Sequence, residues 1–90
     1  MPSYVVESYA AGSAVEKERK QAQLAAALGT DVRYVRTTFL PDEETVLHVF
    51  TALSSDAVRE AADSAALPYE RIIEAVEDAA EPQVQPSRRR

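Results

Sequence analysis

Apolar and polar positions divide the chain into alternating strand-like and helix-like stretches. The densest strand signal lies between Asp31 and Leu53, where two runs rich in β-branched and aromatic residues flank the polar segment Pro41-Asp42-Glu43-Glu44. Proline presets φ and aspartate favours a type I turn, so the pattern predicts a β-hairpin. Upstream, Ser3–Tyr9 has strand composition, and Ala10–Ser13 is a break in which Gly12 is free to take a positive φ. Ser13 and Glu16 have capping-box spacing, which predicts a helix over 14–28 with Gly29 as its left-handed C-terminal cap. Val15, Ala22, Ala25 or Ala26, and Leu28 are its expected apolar stripe, with Glu16, Lys17, Glu18, Arg19 and Lys20 on its exposed first turns.

Downstream, Ser54-Ser55-Asp56 predicts a second N-cap, and Val58, Ala61, Ala62 and Ala65 recur at helical spacing. Pro68 ends that helix. Ile72, Ile73 and Val76 then favour a strand over 71–78. The order is β-α-β-β-α-β, the ferredoxin-like α+β unit, with a four-stranded antiparallel sheet in the order 4-1-3-2 and both helices on one face. The domain is expected over residues 1–79, and the Pro-rich, aperiodic stretch 80–90 is expected to be a disordered tail. A chain of 90 residues fits one such domain.

Alternation divides each strand into two sets. Leu47, Val49, Leu53, Val35, Phe39, Val6 and Tyr4 are the expected helix-covered core. The opposite parity would place Val5, Glu7, Tyr9, Tyr34, Arg36, Thr38, Val46, His48, Phe50, Ala52, Ile72, Glu74 and Val76 on the open face. That mixture is too apolar for water and too polar for an ordinary core. It predicts a homodimer joined through the open face, as in dimeric α/β barrels, or a ligand cavity there. Ligand-binding candidates are accordingly Glu7, Tyr34, Arg36, His48, Phe50 and Glu74.

Charge and composition narrow the chemistry. The net charge is -5, and with Glu81 and Arg88–Arg90 set aside the first 80 residues carry 14 acids against 7 bases, or -7. An acidic body argues against nucleic acid, whose phosphates need a cationic footprint. No run is long and apolar enough for a membrane span, and the N-terminus lacks signal-peptide features, so a cytoplasmic location is expected. Without cysteine, thiolate sites and thiol nucleophiles are excluded from these residues.

His48 is the only imidazole. With Glu7 it forms the candidate metal pair, which Glu74 or a second subunit would have to complete. Glu7 and Glu74 can equally pair with Arg36. The Asp42-Glu43-Glu44 turn lacks EF-hand spacing and reads as solvated. No nucleophile elbow, P-loop, dinucleotide fingerprint or zinc motif occurs.

The segments SYVVES, LG-x-x-VRYVRT, LHVFTALSSDAVREAA and LPYERIIEAVE resemble the bacterial domain-of-unknown-function family 4242 over about residues 3–78. The resemblance implies a ferredoxin-like fold and an association with nickel. It also implies kinship with dimeric α/β-barrel proteins, some of which are small monooxygenases. The leading expectation is a binding protein for a metal ion or small molecule. The alternatives are a cofactorless enzyme using His48, Glu7 and Tyr34, and a purely structural or regulatory dimer.

Overall fold

A computed structural model describes residues 1–76. The strands are β1 (Ser3–Tyr9), β2 (Arg33–Leu40), β3 (Thr45–Thr51) and β4 (Arg71–Ala75), and the helices are α1 (Val15–Leu28) and α2 (Ser55–Ser64). They form one antiparallel sheet in the order β2-β3-β1-β4, which is the expected order read from the other edge. Among the described residues no helix is long and apolar enough to cross a membrane. The expected tail at 80–90 lies outside the described residues.

Local chemistry explains most element boundaries. Ser54 caps α2, its hydroxyl accepting from the Ala57 amide at 3.1 Å. Val58, Ala61, Ala62 and Ala65 are buried as their spacing required. The hairpin turn is a short 3-10 segment, Pro41–Glu43, closed by Glu44 in a left-handed conformation. At the start of α1, however, Ser13 lies inside a 3-10 turn (Gly12–Ala14), and the N-cap, Ala14, makes no side-chain cap bond. The capping box does not form.

Gly29 also corrects its expected role. Its φ of -82° is ordinary, so no left-handed cap exists. What glycine supplies is space: a Cβ there would lie 2.9 Å from both Ala61 Cβ and Val32 Cγ2. Gly12, likewise, has no positive φ.

The left-handed position after α2 is Ala66, with φ of 57°. It is held there because the Leu67 amide bonds Ala62 O at 2.9 Å and the Gln21 amide bonds Ala66 O at 3.0 Å. A left-handed alanine costs about 1–2 kcal/mol, which glycine avoids while losing more chain entropy. Ala66→Gly is therefore expected to stabilise the protein by about 0.5–1 kcal/mol, read as a raised urea midpoint.

The core lies between the helices and one sheet face. It contains Tyr4, Val6, Ala22, Ala25, Val32, Phe50, Ala52, Val58, Ala61, Ala62, Ala65 and Leu67. Directly paired residues share a face, so the register gives transverse rows. Tyr34–Phe50–Tyr4–Glu74 and Thr37–His48–Val6–Ile72 face the helices, as do Phe39–Val46–Ser8. Arg36–Val49–Val5–Ile73 and Thr38–Leu47–Glu7–Arg71 face the open side.

These rows reverse part of the expected division. Tyr4, Val6 and Phe39 keep their expected side, as do Val5, Glu7, Arg36 and Thr38. Val46, His48, Phe50, Ala52, Tyr34 and Ile72 belong on the helix side, not the open face. Glu74 shares the helix-side parity but is exposed at the β4 edge. Leu47 and Val49 have the parity of the open face, yet Val49 is buried as expected at 5% exposure and Leu47 is half-buried, while Val35 and Leu53 are exposed, not core.

Two causes operate. A register shift between Tyr34 and Arg36 breaks alternation within β2, so these two residues leave through opposite faces. On β3 the more uniformly aliphatic parity, Leu47 and Val49, is outward. The helix-side parity is acceptable because larger Phe50 fills the space above alanine-rich helices and His48 finds hydrogen-bond partners.

Candidate functional site

Glu18, Ser8 and His48 meet beneath the N-terminal half of α1, and all three are buried. Glu18 Oε1 lies 2.5 Å from Ser8 Oγ and 3.2 Å from His48 Nε2. On the other side of the ring, His48 Nδ1 lies 2.9 Å from Thr37 Oγ1, which is 2.7 Å from Tyr34 Oη. Five side chains from β1, α1, β3 and β2 therefore form one continuous chain of hydrogen bonds.

The donor sense follows from one end. A carboxylate only accepts, so Ser8 donates to Glu18 and His48 donates through Nε2–H. The neutral ring then accepts at Nδ1 from the Thr37 hydroxyl, and Tyr34 donates to Thr37. Every polar atom on the imidazole is satisfied inside a site that excludes water, as a buried polar group requires.

Burial pushes the His48 pKa below its ordinary value, and the adjacent Glu18 opposes this in part. The unfolded chain thus binds a proton more readily than the folded one. This contribution to stability is complete above about pH 6.5, the unperturbed histidine value, and is lost as pH falls through the folded value. Urea midpoints measured between pH 7.5 and 5.5 are expected to fall with pH, and to fall less in a folded His48→Asn variant. A midpoint rising toward pH 5.5 would reverse the sign.

The expected partnership of His48 with Glu7 does not form. Glu7 is on the opposite face, 2.5 Å from Arg71 Nε, and this contact holds the guanidinium pKa up. Glu74 is in neither arrangement. Phe50 packs edge-on against Tyr34 with ring centroids 5.9 Å apart, as part of the core. Of the six ligand-binding candidates, His48 and Tyr34 are joined by hydrogen bonds through Thr37, while Glu7 and Arg36 share the open face.

Glu18, expected on the exposed first turns of α1, is buried instead, and Ser8 and Thr37 are not among the sequence candidates. A signal for Glu18 was present: with Ala22 and Ala25 it has i, i+4, i+7 spacing, placing an acid on the buried stripe. Ser8 likewise continues the inward parity of Tyr4 and Val6.

A family model described as nickel responsive protein SCO4226-like matches residues 4–75. The chain belongs to the SCO4226-like family. No curated protein and no solved structure matches it. The family's description carries the nickel association that the resemblance implied.

For this SCO4226-like chain, the donor chemistry can be tested against nickel directly. His48 Nε2 and Glu18 Oε1 are close enough to be neighbouring ligands. They are nevertheless only two donors, and both ring nitrogens already have partners. Among the described residues no group of three or more His, Cys, Asp or Glu side chains could hold a metal. The residues around His48 do not fit a nickel centre. Two surface concavities, one between the end of α1 and α2 (about 120 Å³) and one along the α1 surface (about 470 Å³), are not lined by His48 either.

Proposed function

We propose that the chain is a small binding protein that works as a homodimer through its open sheet face and holds a small molecule between the two sheets. The observation supporting this is the composition of the two outward rows. On the interior strands β3 and β1 they carry Leu47, Val49, Val5 and Glu7, and on the edge strands β2 and β4 they carry Arg36, Thr38, Ile73 and Arg71. Tyr9 and Leu40 are exposed large hydrophobic residues that add to the same side. A largely apolar face that carries the Glu7–Arg71 pair at one end and Arg36 on its edge is suited to a second copy of itself, and to a ligand with an apolar body and a polar end.

Nickel enters this reading through the family's description. On the open face, the Arg71 guanidinium already occupies Glu7, and a cation would have to displace it. This favours an organic ligand over a metal ion. The likeness to family 4242 and a cytoplasmic setting in a bacterial cell belong to the same reading. The deciding experiment is native mass spectrometry of untagged protein with sedimentation velocity at tens of micromolar. A dimer that retains a small organic mass supports the proposal. A dimer without ligand leaves a structural role, and a monomer overturns the sheet-face reading.

A second reading, a cofactorless proton-transfer enzyme, is favoured by one observation. The half-buried Tyr34 hydroxyl is connected through Thr37 to the His48–Glu18 pair. In that case Tyr34 would meet the substrate, and His48 would move its proton. Tyr34→Phe would then abolish turnover while leaving dimerisation intact.

A further inference from the structure

We infer that this member of a nickel-responsive family has no imidazole-based nickel site, because its single imidazole is a structural keystone tying β3 to β2 and to α1. The inference rests on the placement of His48 and stands apart from the sheet-face reading.

The sequence contains one histidine and no cysteine, so His48 carries the whole case for an imidazole or thiolate ligand. Its ring has 0% exposure. A metal at Nε2 would have to break the bond to Glu18, and one at Nδ1 would have to break the bond to Thr37. The first would leave the buried Glu18 with Ser8 alone, and the second would take the ring from the half-buried Thr37 hydroxyl, and both losses oppose metal uptake. In structural and catalytic metal sites, a ligating histidine keeps one nitrogen for the metal and gives only the other to a carboxylate or carbonyl. Here neither nitrogen is kept open.

A second subunit does not change this. A copy docked on the open face meets Leu47, Val49 and Glu7, with the sheet between it and the ring. Among the described residues the abundant remaining donors are carboxylates and carbonyls, which suit magnesium, calcium and manganese and give nickel no special advantage. The expected behaviour is weak nickel binding that excess magnesium suppresses.

The test uses the full, untagged chain at neutral pH with nickel chloride as the probe. Nickel is titrated by calorimetry with and without excess magnesium chloride, into wild type and His48→Asn. The expected dissociation constant is weaker than about 100 μM, within about twofold in the two proteins. Because His48→Asn can fail to fold, paramagnetic broadening is read on wild type as well. The inference predicts that nickel leaves the His48 ring resonances sharp. Stoichiometric low-micromolar binding that broadens those resonances, or that a folded His48→Asn protein loses, overturns it. Neither result depends on whether the protein sediments as a dimer, so the two readings fail separately.

Discussion

His48→Ala is expected to destabilise the protein by about 2–5 kcal/mol, from the cavity left by the ring and the buried hydrogen-bond partner left behind. The substitution leaves a cavity and strands Glu18, which is 5% exposed and keeps only its bond from Ser8. A domain of this size has about 5–15 kcal/mol in total, so the variant should be near the limit of folding at 37 °C. Glu18→Ala is expected to cost about 2–4 kcal/mol, because Ser8 and His48 then lose their shared acceptor. The informative control removes the whole polar cluster. Ser8→Ala, Glu18→Leu and His48→Leu combined should recover most of the loss, since replacing all the partners of a buried polar cluster by apolar groups of similar shape is often nearly neutral. Urea denaturation of the single and triple variants checks this. A triple variant no more stable than His48→Ala would show that the loss comes from shape and not from unpaired polar groups.

Gly29→Ala is expected to be destabilising by about 1–3 kcal/mol, the range for overpacking a fitted site. Helix propensity would suggest otherwise, because alanine is normally favoured over glycine. Here the added methyl meets Ala61 Cβ and Val32 Cγ2, each at 2.9 Å, where real Cβ contacts do not occur. Ala61 is on α2 and both neighbours are core residues, so the helices must separate or Val32 must shift. Paired Gly29→Ala and Ala61→Gly substitutions provide the measurement. If the second relieves the first in a double-mutant cycle, the clash is confirmed; simple additivity would contradict it.

The fate of His48 separates what was readable in the chain from what was not. Its alternation with Leu47 and Val49 correctly indicated that the three could not share a face. Which face was covered depended on register. Val6 was an evident inward residue, and its direct pairing with His48 fixes His48 inward as well. A one-residue slip of that pairing would have given the opposite result, and side-chain periodicity cannot distinguish the two.

The sequence by itself determined the order and type of the elements. Turn chemistry at Pro41, the cap at Ser54 and the alanine spacing of α2 are local signals, readable within a few residues. It also determined the supply of chemistry: one imidazole, no thiol, and an acidic body. Only the tertiary structure decided where that chemistry is used. The irregularity between Tyr34 and Arg36 sends one to the core and the other to the open face, and the packing of α1 brings Glu18 over Ser8 and His48. Such contacts join residues 10 and 30 positions apart, so no local window contains both partners. The physical reason is that a buried polar residue is tolerated only where another element delivers its partner, and that delivery is a property of the assembled fold.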